Sequence, residues 1–208
     1  MFLPVKSDFY FFDIYKFDII RKCKNWRKQI MSQYKGGVIH WTAGSYIANN
    51  IDKKSYHYLY EYNSKNKTSN IIEGIYKPSD NLNCNDRKYA PHVGGMNTGR
   101  IGVALCAMAG FKNKTNVGLY PIVKVQFEKM CSHIATLCKL YNLKPNNWET
   151  HYEIGKKIQN GIIKKTSLNA LNIGKIDIIC LPFEPNISQN QIGDYIRNKI
   201  NWYYLKVC

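Results

Sequence analysis

Three side chains far apart in the chain are of the types that a catalytic metal site needs. His40 ends an apolar run, GGVIHW, and is followed by the loop WTAGS. His151 lies in WETHYEIG, directly after a short strand-like stretch, and Asp177 lies in GKIDI. Catalytic zinc sites commonly draw three protein ligands from His, Asp, Glu or Cys and keep one position open. Two histidines at strand ends and one carboxylate meet that need. Lys175 precedes Asp177 by two residues. In a strand, positions i and i+2 point to the same face, so an extended K-x-D aims an ammonium and a carboxylate into one space. A surface ion pair is the ordinary reading of that spacing. Beside a metal, the lysine would donate to an oxyanion instead.

The remaining histidines read differently. His133 falls inside a helical pattern, as a structural or solvated group. His57 follows Tyr56 on a strand, so it faces the opposite side and reads as sheet packing. His92 sits in APHVGG. The seven cysteines are odd in number and contain no CxxC pair. That pattern fits reduced thiols better than a disulfide framework, and it disfavours a structural zinc knuckle. Cys131 and Cys138, seven apart, fall near one helical face.

The elements that must position these residues alternate between strand and helix. GGVIHW is a glycine-started buried strand, SYHYLYEYN an alternating strand that NIIEGIYK would pair with, and RIGVALCAMAG a buried strand ending at Gly110. YPIVKVQFEKMCSHIATLCKLYN reads as a helix with Ile122, Phe127, Met130, Ile134 and Leu137 inward, and SQNQIGDYIRNKINWYY as a C-terminal helix. Residues 9–33 read as an N-terminal helix. The class is therefore α/β, with a mostly buried sheet. The expected organisation is a single domain over 1–208, with residues 1–33 as a helical extension and 34–208 as the core.

The chain has 208 residues, enough for one sizeable core, and its 45% hydrophobic content excludes a disordered chain. No apolar run is long enough to span a membrane. Charged residues break every apolar run near the start, so a signal peptide is not expected and synthesis is expected in the cytoplasm. A net charge of +16 attracts polyanions: nucleic acid, anionic lipid or an acidic cell-wall polymer. There is no zinc-finger spacing and no RNA-binding aromatic motif, so specific nucleic-acid binding is not expected.

The segments VIHWTAG, SYHYLYEYN, APHVGGMNTGRIGVAL, ETHYEIG and GKIDI stand in the order found in zinc-dependent N-acetylmuramoyl-L-alanine amidases. The chain resembles this family, which includes phage lysozyme-like amidases and is similar to peptidoglycan recognition proteins, over roughly residues 36–180. The resemblance implies a central mixed β-sheet flanked by helices, with Zn2+ in a surface groove. It also implies cleavage of the amide between N-acetylmuramic acid and the L-alanine of the stem peptide. Matched residue by residue, His40, His151 and Asp177 are the expected zinc ligands and Lys175 the transition-state lysine. Tyr56 matches a tyrosine near the reacting water, and His92 a groove-wall histidine that does not bind metal. Trp41 and Thr42, next to His40, are expected to line the same groove. The implied substrate is peptidoglycan or its muropeptides, and the expected state is a monomer.

Two departures from the family pattern stand out. The insertion KKIQNGIIKKTSLNALN lengthens the gap between His151 and Asp177, which leaves Glu153 or Cys180 as alternative third ligands; Glu153 could instead orient His151 from behind. Some relatives also carry a glutamate near the position of Cys106, where this chain has no carboxylate, so general-base duty would fall to Tyr56, a group behind the ligands or the metal hydroxide itself. HVGGMNTGRIG lacks the GK[ST] ending of a phosphate loop and is expected to be a groove loop of small residues. A non-catalytic peptidoglycan-binding module of the same fold is the alternative reading; Asp177 is the residue that separates the two.

Overall fold

The computed structural model describes residues 29, 31 and 33–207. The helix expected over residues 9–33 lies almost wholly outside the described residues. Five strands form one sheet: β1 (Gly36–Trp41), β2 (Tyr58–Asn63), β3 (Thr68–Glu73), β4 (Arg100–Leu105) and β5 (Trp148–Thr150), in the spatial order β3-β2-β4-β1-β5. β1 runs parallel to β4 and β5, β4 runs parallel to β2, and only the β2–β3 hairpin is antiparallel. The sheet is thus mixed, and helices flank it. All six residues of β1 are buried, as expected of a parallel strand with neighbours on both edges and cover on both faces.

Among the described residues after Gln33, four α-helices accompany the sheet: α1 (Asn50–Ser55), α2 (Lys124–Tyr141), α3 (His151–Gln159) and α4 (Ile192–Tyr204). α2 buries Phe127, Met130, Ile134 and Leu137, the stripe its periodicity predicts, and Cys131 and Cys138 lie on the same buried side. It packs on β2, β3 and β4 and against α4. α3 lays Ile154 and Ile158 against Val38 of β1 and Val93. The start of α3 is set by a capping box. Thr150 Oγ1 accepts from the Glu153 amide at 3.1 Å, and Glu153 Oε2 accepts from the Thr150 amide at 2.8 Å.

Several expected strands differ from those observed. SYHYLYEYN is strand only over Tyr58–Asn63, and NIIEGIYK only as far as Glu73. The regular strand in RIGVALCAMAG ends at Leu105 rather than Gly110: beyond it Met108 makes only an isolated bridge to Gly44, and Met108 and Gly110 take left-handed backbone conformations, φ 72° and 75°. GKIDI is irregular, with Gly174 at φ 80° and Ile178 at φ 63°. Strand alternation therefore does not govern the Lys175–Asp177 spacing.

The register Gly37↔Trp148 places Trp148, fully buried, against a residue without a side chain. A Cβ on Gly37 would lie 2.2 Å from the indole ring. Gly37→Ala is expected to destabilise the protein by about 1–3 kcal/mol through overpacking. Urea denaturation measures this; an unchanged midpoint would show that β1 and β5 can separate freely.

Candidate metal centre

The sheet topology explains how residues 111 positions apart become neighbours. β1 and β5 are adjacent and parallel, and Ile39 pairs with Thr150, so the residues that follow, His40 on β1 and His151 at the start of α3, emerge at the same level. Both stand at the carboxyl end of the parallel strands, where open α/β sheets place their ligand sites. Asp177 arrives from the irregular segment that follows the insertion. Its Oδ2 lies 3.0 Å from His40 Nδ1 and 3.2 Å from His151 Nδ1. One ligand atom from each of the three residues falls within 4.8 Å of the others.

The surrounding hydrogen bonds assign the tautomers. The Asn172 amide nitrogen donates to Gly94 O and Asn169 O, both at 2.9 Å. Its Oδ1, which accepts from the Gly94 amide, therefore faces His151 Nε2 at 2.9 Å. His151 Nε2 carries the proton and Nδ1 keeps a lone pair. His92 Nε2 donates to Arg100 O at 3.3 Å, which leaves His92 Nδ1 to accept from His40 Nε2 at 3.3 Å. His40 Nδ1 is then bare as well. Two imidazole lone pairs and a carboxylate oxygen converge with no donor of their own, an arrangement that repels unless a cation joins it.

Protonation is a poor source of that cation. Burial pushes the His40 imidazole down to about 4, against the opposing pull of Asp177. His92 is pushed well below its ordinary value by burial and then by the neighbouring His40 and His57. Burial raises the Asp177 carboxyl, and only hydrogen bonds donated by His151 and His40 would hold it below the ordinary carboxylate range; with both Nδ1 atoms bare, a metal cation would supply that attraction instead. Neutral imidazoles and an ionised carboxylate are the protonation states in which these groups bind metal. Tetrahedral bonds of about 2.0–2.1 Å to zinc set ligand separations of roughly 3.3 Å, close to the 3.0 and 3.2 Å observed. The residues fit a tetrahedral divalent ion.

A groove of about 290 Å³ opens over the cluster. Trp41, Thr42, Tyr56, His92 and Lys175 line it together with His151 and Asp177. The Tyr56 ring stands 5.0 Å from that of His40, and burial, then the Asp177 charge, raises its hydroxyl above the ordinary value. Lys175 is exposed, and its ammonium forms no ion pair among the described residues. Asp177 Oδ2 faces the two histidine Nδ1 atoms instead, so the plain surface ion pair is not what forms.

Other residues are placed elsewhere. The Glu153 carboxylate is committed elsewhere: it caps α3 and forms a two-pronged pair with Arg197 at 2.7 and 3.0 Å, and Asn172 hydrogen-bonds His151. Cys180 is buried and lines a different cavity. His57 is held in the core, accepting from the Gly102 amide at 2.8 Å and donating to Asn81 Oδ1 at 3.0 Å. His133 Nδ1 and the Tyr60 hydroxyl share a hydrogen bond at 3.0 Å. Among the described residues, Cys84, Cys106, Cys131, Cys138 and Cys180 are free thiols. In the glycine-rich loop, a Cβ on Gly95 would lie 2.7 Å from Leu168, so small residues there serve chain-to-chain packing and bring Gly94 to Asn172. Sequence reasoning did not find Asn172, which sits at the end of the insertion and carries no pattern of its own.

Asn172→Ala is expected to weaken divalent-metal affinity about 10- to 100-fold while leaving the fold intact; competition with a chromophoric chelator measures it. Stability should also depend on pH. Burial lowers both His57 and His133 to about 4 from an ordinary value of 6.5. Between those values the unfolded chain binds protons that the folded chain refuses, so stability is complete above about pH 6.5 and falls as pH drops toward 4. Denaturation midpoints in chelator, taken across that range, would be flat if the rings titrated normally.

Among the described residues, no helix is long and apolar enough to cross a membrane. No curated protein and no solved structure matches the chain significantly. A family model for N-acetylmuramoyl-L-alanine amidase matches residues 31–165, more than half of the chain, and includes His40 and His151. With the sheet, the groove and the paired histidines in place, the chain belongs to the N-acetylmuramoyl-L-alanine amidase family.

Proposed function

We propose that the protein is a zinc-dependent hydrolase that cleaves the amide between N-acetylmuramic acid and L-alanine in peptidoglycan. The observation that carries this reading is the convergence of His40 Nδ1, His151 Nδ1 and Asp177 Oδ2, within a chain of an amidase family. Asp177 lies beyond the matched segment. It completes a three-ligand set that a purely binding module of this fold would not need.

His40, His151 and Asp177 would hold the ion. When bound, zinc polarises the scissile carbonyl and brings the pKa of a water to roughly 7. The chain's own groups do the rest. Lys175, free of a carboxylate partner at the groove wall, places its ammonium beside the oxygen that gains negative charge as the carbonyl carbon becomes tetrahedral. Tyr56 stays protonated at neutral pH because its hydroxyl titrates above the ordinary value. It therefore acts as a donor rather than a base, giving a hydrogen bond, and then a proton, to the alanine nitrogen as the carbon–nitrogen bond breaks, and it regains a proton from the newly formed carboxyl group, so that amine and carboxylate leave with the phenol restored. Trp41 and Thr42 wall the groove, and Thr42 is held by amides of the facing loops: its Oγ1 accepts from Gly44 at 3.1 Å and Ala107 at 3.3 Å. His92 and Asn172 keep the two ligand rings in one tautomer and orientation.

Purified protein should contain about one zinc per chain and release stem peptides from murein, and a chelator should abolish release until zinc is restored. Lys175→Ala should retain zinc and lose about 100- to 1000-fold in turnover. Tyr56→Phe should also retain zinc and lose about 100-fold or more, whereas His40→Ala should lose both metal and activity. Full hydrolysis by the Lys175→Ala protein would remove the lysine from the mechanism, and chelator-resistant release would remove the metal.

A further inference from the structure

Away from the candidate metal centre, a second cavity of about 500 Å³ opens where the loop after β1 meets the β2–β3 hairpin. Its character comes from three tyrosines. The Tyr46 ring stands edge-on to Tyr62 at 4.9 Å and to Tyr120 at 5.2 Å. The cavity is built rather than incidental. The Tyr46 hydroxyl donates to Pro121 O at 2.9 Å, the Tyr62 amide donates to Tyr46 O at 3.2 Å, and the Met108 amide donates to Tyr120 O at 2.6 Å. Glu61 Oε1 accepts from the Ala48 amide at 2.9 Å, which fixes the same loop against β2.

The chemistry of the lining selects the ligand class. The chain carries a net charge of +16, yet the lining here holds one carboxylate, Glu61, and one ammonium, Lys65. A polyanion would find no local excess of positive charge. Rigid phenol faces, the hydroxyls of Tyr62 and Tyr120 and the exposed Asn70 amide instead suit a neutral polyhydroxylated ring, which presents C–H faces to aromatics and hydroxyls to polar tips. The loop that supplies Trp41, Thr42 and Ala43 to the groove continues directly into Ser45, Tyr46 and Ile47 of this cavity.

We propose that the Tyr46–Tyr62–Tyr120 cavity is a sugar-binding subsite, separate from the candidate metal centre, that holds a neutral pyranose of the peptidoglycan glycan strand. The inference rests on the proposed amidase reading for the identity of the strand. It makes the protein an enzyme of polymeric murein, anchored on the glycan while the groove works on the stem peptide.

The test titrates stem-free murein tetrasaccharide into the full chain, followed by NMR. Saturable binding is expected, weakened about tenfold or more in Tyr62→Ala, retained in Tyr62→Trp and unaffected by His40→Ala. Asn70→Ala, an exposed change in the same cavity, gives a second weakened variant should Tyr62→Ala fail to fold. On polymeric murein, Tyr62→Ala should raise KM about tenfold, while a soluble single-disaccharide muropeptide is cleaved as by the parent protein. Absence of saturable binding, binding indifferent to Tyr62 and Asn70, or loss of sugar binding on His40→Ala would overturn the proposal. Tyr62-dependent sugar binding without any murein hydrolysis would leave the subsite standing and defeat the amidase reading; hydrolysis with Tyr62-independent binding would do the reverse.

Discussion

The structure depends on an electrostatic demand: three lone-pair atoms meet at Asp177 Oδ2 with no proton of their own to share. Each imidazole has its far nitrogen committed elsewhere, His40 to His92 and His151 to Asn172. Neither ring can turn to relieve the contact without breaking a buried hydrogen bond. The commitment continues outward. Asn172 is gripped by both backbone groups of Gly94, and the His92 ring lies over Gly102, where a Cβ would approach within 2.4 Å. The cluster is thus held in the geometry of a cation site by bonds that do not involve a cation, which is how outer-shell partners tune ligand orientation.

That arrangement draws on parts of the fold with different constraints. The histidines come from regular structure: adjacent parallel strands and their register set the positions, and burial on both faces of β1 makes His40 neutral. The carboxylate comes from irregular structure. Ile178, fully buried and at φ 63°, holds a backbone conformation unusual for a β-branched residue. The chain turns there immediately after Asp177, with the Ile178 side chain in the core. The insertion before Asp177 lengthens the path but also delivers Asn172, so it is part of the site's support.

Much of this was legible from residue types. His40, His151 and Asp177 stand out because few side chains bind metal and because two of them end strand-like runs. The helices α2 and α4 and the strands β1 to β3 follow from apolar periodicity. The extended reading of GKIDI failed because Gly174 and Ile178 adopt left-handed conformations, and tertiary packing, not local propensity, decided the second of these. Glu153 was open to a better reading: THYE, residues 150–153, has the form of a capping box, and that box together with Arg197 occupies the carboxylate. Asn172 could not have been singled out in a chain rich in asparagine. Its role exists only once the Gly94 loop is folded over it.

Support inside the cluster and access outside it are kept separate. Lys175 and Tyr56 line the groove without sharing the hydrogen bonds that hold the His40 and His151 rings, so the groups proposed for chemistry are distinct from those proposed to hold metal. The most direct measurement of the central claim is zinc K-edge X-ray absorption on the protein loaded with one equivalent of zinc. The account predicts two imidazole nitrogens and a carboxylate oxygen at about 2.0–2.2 Å, with the imidazole signal reduced in His151→Ala; a sulfur shell at about 2.3 Å, or a spectrum without imidazole scattering, would contradict it.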